Sequence, residues 1–255
     1  VIYDTLLDSK SLWLTANTST MYAMSFLDLK NDGPTVIDLP PRMLGILDDM
    51  AFLYMTDLGM AGPDKGKGGK FLVLPPGYEG QVPDGYFVVQ SNTYGAWVFM
   101  RGYLDKGIKA ASDNIRDNLK LYPLSKKDNP PEMVFLNGSE KVINTVLPND
   151  YSFFENLNAI VQEEPAAMLG PEIKGQLAAI GIVKGQPFNP DARFDWRLIV
   201  NGHLDEMLYE RVMINQSLPF SELKKRSLIN QRAKAADKTS DFSRLIRMGL
   251  PGMEP

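Results

Sequence analysis

Residues 71–103, FLVLPPGYEGQVPDGYFVVQSNTYGAWVFMRGY, constrain the fold more than any other part of the chain. Apolar runs of strand length are separated by turn chemistry: prolines that fix φ, and Gly77, Gly80 and Gly85, which accept positive φ. The pattern predicts strands over 70–75, 86–91 and 94–103, joined as a meander with antiparallel pairing through short turns. In the third run Trp97, Phe99 and Arg101 share one face, and Val98 and Met100 share the other. A cation at the end of an aromatic face needs an explanation.

Residues 12–59 also read as strands. LWLT and MYAMSFLDL are rich in aromatic and aliphatic residues, NDGPT is a turn, and TVIDLP is a short strand closed by Pro40 and Pro41. GILDDMAFLYMTDLG fits a buried strand with a bulge better than a helix, because β signals flank it. GPDKGKGGK, residues 62–70, lacks the spacing of a phosphate loop: Gly62 and Gly66 are too close, and Phe71 enters a strand. It reads as a flexible exposed hairpin loop.

After Tyr103 the periodicity becomes helical, with Ile108, Ala111, Ile115, Leu119 and Tyr122 on one face. MVFLNGSEKVINTVLP reads as a hairpin around Asn137–Gly138. NDYSFFENLNAIVQEE and GPEIKGQLAAIGI read as helices, and a longer one is expected over 191–218. The last residues, from Ser221, carry eight Lys/Arg against four Asp/Glu and read as a helix with a solvated basic face. The expected class is α+β: an antiparallel β-sandwich-like domain over 1–148, then a mainly helical region over 149–255 that connects to a missing second β domain. A chain that starts at Val1 reads as a fragment or a processed form.

Composition narrows the chemistry. A net charge of −4 and a pI near 5.2 argue against a surface that attracts nucleic acid overall. No apolar run reaches the roughly 18 residues of a membrane span. The absence of cysteine excludes disulfides, thiolate nucleophiles and Cys-ligated zinc. The single histidine, His203, shares a helix face with Glu206 and Glu210, but two ligands one turn apart fall short of a catalytic zinc site. No nucleophile elbow, kinase or dinucleotide motif is present, and no cofactor or metal is expected.

Ordered blocks of the chain resemble a bacterial family known as domain of unknown function 1254. TANTSTMYAMSFLDL resembles its Asn-x-Asp-Thr-x-Tyr…Leu-Asp-Leu signature, and DDMAFLYMTDLG its Asp-rich strand ending in Gly. Residues 71–104 resemble its Gly-Pro…Ser-x-Thr…Arg block, and IGIVKGQPFNPDARF the element that opens its following helix. The resemblance covers roughly residues 10–215. Ser19 stands where the family usually has Asp, and LPPG where GPxW-like sequence is common. The resemblance implies a β-sandwich-like domain, a helical connector and a following domain of unknown function 1214. It also implies an exported protein, periplasmic or secreted, with a cytoplasmic location left open.

Candidate residues follow. Asn17, Thr20 and Tyr22 sit at matching signature positions, where Asn17 and Thr20 either bond a ligand or close a turn; the turn is favoured. Arg101 either clamps a carboxylate of an earlier strand, Asp57 or Asp48, or grips a ligand anion; the clamp is favoured because an unpaired buried charge is costly. Asp48, Asp49 and Asp57 are alternatively acid/base carboxylates. Tyr78 and Tyr94 either line a pocket or plug the sandwich end. Three functions are consistent with this set. The first is binding of a small anionic ligand near Arg101, Asp57, Thr93 and Tyr22. The second is a hydrolase using Asp48 or Asp57 as the acid/base with Arg101 holding the anion. The third is a homo-oligomeric scaffold built on the helical half.

Overall fold

A computed structural model describes residues 1–13, 16–145, 147–148 and 151–190. The helix expected over 191–218, His203 with Glu206 and Glu210, and the basic tail lie outside the described residues. The chain divides into two compact units: Val1–Asn144 with Glu163–Leu169, and Thr145–Gln162 with the chain from Gly170. Among the described residues no helix is long and apolar enough to cross a membrane.

The elements of the first unit, in chain order, are β1 (Ser11–Leu12), β2 (Met21–Asp28), the short α1 (Leu29–Asp32), β3 (Thr35–Leu39), β4 (Met43–Asp49) and β5 (Tyr54–Gly59). They continue with β6 (Gly69–Leu74), β7 (Phe87–Gln90), β8 (Gly95–Gly102), α2 (Ile108–Asn118), β9 (Lys120–Pro123) and β10 (Ile143–Asn144). They form two four-stranded sheets, β2-β8-β4-β5 and β7-β6-β3-β9, and a small parallel pair, β1-β10. The alternation of each strand explains the sandwich. Met21 and Ala23 of β2, Met43 and Leu47 of β4, Leu58 of β5, and Ala96, Val98 and Met100 of β8 all enter one core. Ile37 and Leu39 of β3, Phe71 and Val73 of β6, and Val89 of β7 meet them from the other sheet, and Ala111 and Ile115 of α2 add a helical face. Burying each large side chain contributes about 1.5–3 kcal/mol, so this shared core dominates the unit's stability.

The expected sandwich is present, and its strands are connected differently from the expected meander. β6 and β7 pair in parallel, and β8 belongs to the other sheet. The physical reason is the Pro75–Tyr86 loop, which is about the dozen residues that a parallel crossover requires. The segment 43–59 is two strands rather than one: β4 and β5 form a hairpin, and the bulge falls between Leu47 and Asp48. The helix stops at Asn118, so Leu119 and Tyr122 leave its face, and Tyr122 pairs with Val36 on β9. No hairpin forms at Asn137–Gly138. Asn137 instead makes a parallel bridge with Ile2, and its side chain accepts the Ser139 N–H at 2.8 Å, closing a local turn.

The glycine-rich loop joins strands of different sheets rather than closing a hairpin, and specific hydrogen bonds hold it. Asp64 is buried, and its carboxylate accepts the N–H groups of Gly59 at 2.8 Å and Gly68 at 3.2 Å. Arg42 donates its N–H to the Gly66 carbonyl at 2.9 Å. Gly59 has φ +79° with the Met43 carbonyl oxygen 1.9 Å from where a Cβ would stand, so only glycine fits at the end of β5. In the second unit, α3 (Ser152–Glu163; Glu163 itself falls in the first unit) buries Phe154 and Val161, and α4 (Pro171–Ala179) begins with proline in its first turn and buries Leu177.

Asp64→Ala leaves two backbone donors inside the protein without acceptors. The unfolding free energy is expected to fall by about 2–4 kcal/mol in a urea titration, with Asp64→Asn intermediate.

Candidate functional site

β8 lies between β2 and β4, so its outward side chains stand in the middle of a broad sheet face. Register places them in three rows: Tyr22, Arg101 and Leu44; Met24, Phe99, Ile46 and Asp57; Phe26, Trp97, Asp48 and Tyr54. Ring contacts run along the face. Phe52 stacks on Trp97 at 5.4 Å, Trp97 meets Phe99 at 4.9 Å, and Phe99 meets Tyr22 at 5.4 Å. The N-terminal segment covers one end, packing Tyr3, Leu7 and Trp13 against Tyr22, Met24 and Phe99. Among the interactions that hold it there, Tyr3 N–H bonds the Tyr22 carbonyl at 2.9 Å, and Asp4 takes Arg116 at 2.5 Å together with the Ser112 hydroxyl. The Arg116 guanidinium keeps the Asp4 carboxyl below its ordinary range.

The favoured Arg101 clamp does not form. The Arg101 guanidinium makes no ion pair or hydrogen bond with any described residue. Its guanidinium lies 5.6 Å from the Tyr22 ring centre and 5.7 Å from that of Phe99. Register is the reason: Asp57 sits two strands away in the Phe99 row, and Asp48 lies opposite Trp97, four residues or about 13 Å along β8. Trp13 packs on the same two rings, at 5.5 Å from Tyr22 and 5.8 Å from Phe99. Its indole Nε1–H is buried and has no acceptor among the described residues. Buried polar groups without partners are rare and call for a specific explanation.

Asn17 and Thr20 serve the backbone. Asn17 Oδ1 accepts the Ser19 and Thr20 N–H groups, both at 3.0 Å, and the Thr20 hydroxyl at 3.0 Å, which closes the turn into β2. The Asn17 N–H donates to Tyr22 Oη at 2.9 Å.

Asp48 is 5% exposed, and no described residue bonds or ion-pairs its carboxylate. Burial, then the charges of Asp49 and Asp57, push its pKa above the ordinary value. Asp57 accepts the Tyr54 hydroxyl at 3.1 Å. Asp49 is held in the β4–β5 turn, accepting the N–H groups of Ala51 at 2.8 Å and Leu53 at 3.0 Å.

Thr93 is fully buried at the β7–β8 corner, about 20 Å of strand from Arg101, and does not join its cluster. Its hydroxyl donates to the Gly95 carbonyl at 2.6 Å and accepts the Met50 N–H at 3.0 Å. Beside it, buried Glu164 accepts the Tyr94 and Gly95 N–H groups at 2.5 and 2.9 Å. Burial raises the Glu164 pKa, and the two backbone donors partly oppose the shift. Tyr94 lies against Lys30, which pairs with Glu163 at 2.7 Å, and Tyr78 packs with Tyr86 on the outer face of β3 and β6. A separate cavity of ≈ 350 Å³ is lined by Arg42, Tyr103, Lys106 and Asn114, and there Arg42 is already paired with Asp105.

Sequence reasoning missed Trp13, Phe52 and Glu164. Trp13 read as an ordinary strand residue in LWLT, Phe52 lay inside a presumed single strand, and Glu164 stands some 70 residues from the turn it holds.

The comparisons with known proteins agree on fold and are silent on activity. A family described as "Protein of unknown function (DUF1254)" matches residues 1–123. No curated protein matches. The crystal structure of the VPA0106 protein from Vibrio parahaemolyticus superposes with a TM-score of 0.52 at 20% identity, over 77% of this chain. The matched region spans 50% of that longer chain.

Because the folded-state pKa of Asp48 is raised, its ionisation weakens the fold above that pKa, and the penalty disappears as pH falls toward the unfolded value of 3.8. Asp48→Asn is therefore expected to melt higher than wild type at pH 7, with the gap closing near pH 4 in thermal melts across that range.

Proposed function

We propose, for a chain whose residues 1–123 match the DUF1254 family of unknown function, that the Arg101 corner binds a small organic anion. The observation that carries the reading is a surplus of donors. A half-buried guanidinium with no carboxylate sits over the same two rings as a buried indole N–H with no acceptor. Asp48 and Asp57 are displaced from Arg101 by register, so no described carboxylate competes for it.

A carboxylate suits this donor set. Guanidinium offers two parallel N–H groups to the two oxygens, and the indole packed on the same rings supplies a further N–H donor for the remaining lone pairs. The rings of Tyr22 and Phe99 provide an apolar platform for the body of the ligand, which favours an aryl or alkyl carboxylate over inorganic phosphate. The same spacing argues for binding rather than hydrolysis. Asp48, about 13 Å along the strand, and Asp57, one row down and two strands across, do not reach a bond held at Arg101 in a small substrate.

Calorimetric titration with benzoate, hexanoate, acetate and phosphate tests the reading. Benzoate or hexanoate is expected to bind wild type more tightly than acetate or phosphate. Arg101→Ala should abolish binding, and Arg101→Lys should weaken it through loss of the fork. Trp13→Phe keeps the ring packing, removes the N–H and should cost about tenfold in affinity. Binding that survives Arg101→Ala, or no binding of any of the four anions, overturns it.

A further inference from the structure

The opposite end of the same face carries a second, independent feature. Asp48 is 5% exposed, its carboxylate oxygens keep contact with solvent, and no described residue gives them a hydrogen bond or an ion pair. A carboxylate largely walled in and open to solvent on one side favours a counter-ion at that opening. Register places it between Trp97 on β8 and Tyr54 on β5, on the outward face, with Asp57 in the neighbouring row. Phe52 stacks on Trp97 with an interplanar angle of 23°, and Phe26 stands beside Trp97 on β2. Phe26, Phe52 and Tyr54 are 64%, 66% and 64% exposed, so three large rings face solvent around an acidic floor.

We propose that Asp48, Trp97, Phe52 and Tyr54 form a binding site for an organic ammonium ion, a methylated or alkyl-substituted amine. The carboxylates attract the charge, and the ring faces attract the polarised N–CH₃ or N–CH₂ groups. A bulky ammonium is weakly hydrated and loses little on entering an aromatic-walled site. A hard inorganic cation needs six or more oxygens. The available oxygens are few: Asp49 is held by backbone N–H groups, Asp57 accepts the Tyr54 hydroxyl, and ring carbons offer no lone pair. No cluster able to hold a metal ion occurs among the described residues. The nearest row with a cation is that of Arg101, about 13 Å away along β8, too far to neutralise Asp48 directly.

The site is tested by titrating the protein with tetramethylammonium, hexylammonium, sodium and calcium, following tryptophan fluorescence and heat. The two organic cations are expected to bind with perturbation of tryptophan emission, and sodium and calcium are not. Asp48→Asn and Trp97→Leu should each weaken binding at least tenfold, and Arg101→Ala should leave it unchanged. Asp48→Asn is expected to fold at least as stably as wild type, so loss of binding in that variant reads the site rather than unfolding. Affinity should also fall as pH drops through the raised pKa of Asp48, since the cation needs the ionised form. Equal binding by Asp48→Asn, tighter binding of calcium than of the organic cations, or no binding of either ammonium overturns the proposal.

Discussion

The hydroxyl of Thr93 is the interaction on which the arrangement of the first unit turns. It sits in the corner where the chain leaves β7 in one sheet and enters β8 in the other, bonding forward to Gly95 and across to Met50. Ser91 closes the same corner, donating its hydroxyl to the Thr93 carbonyl at 2.7 Å, and Glu164 caps the N–H groups of Tyr94 and Gly95. A sheet-to-sheet crossing in so few residues strands several backbone groups inside the protein. Buried side-chain oxygens satisfy them. The bond to Met50 ties the corner to the β4–β5 turn, which is where Phe52 is presented.

From that corner β8 runs antiparallel to both neighbours along its whole length. Its two faces then divide the work. Ala96, Val98 and Met100 fill the core and carry stability, while Trp97, Phe99 and Arg101 form a central aromatic ridge on the other face. The N-terminal segment covers only the Tyr22 end of this ridge, so one end is half-buried and donor-rich and the other is open and acidic. Chemical asymmetry along one strand face thus arises from where a single segment lies down.

Much of this was legible in residue order. Alternation in 94–103 gave both faces of β8, the Asn-x-x-Thr turn before β2 followed from side-chain chemistry, and the apolar spacing through Ile115 located α2. These are local signals, set by φ preferences and by the period of side chains. Sheet membership was not legible. The same apolar runs pair equally well as a meander or as a crossover, and only the length of the Pro75–Tyr86 loop hinted at the parallel pairing of β6 and β7. Tyr122 repeated at helical spacing from Ile115 and Leu119, yet its pairing with Val36 in a sheet outweighed that periodicity. The Arg101 clamp failed for a related reason: charge complementarity suggested a partner, and register alone decided the distance.

The sequence by itself determined which residues are strand-forming, which face of each strand is apolar, and that cysteine and multi-histidine chemistry are absent, because these depend only on residue type and short-range spacing. Tertiary structure decided that no described carboxylate reaches Arg101, that Trp13 arrives from another segment on the same two rings, and that Asp48 stands among rings. Those outcomes depend on register and on contacts between residues far apart in the chain, which local preference does not encode.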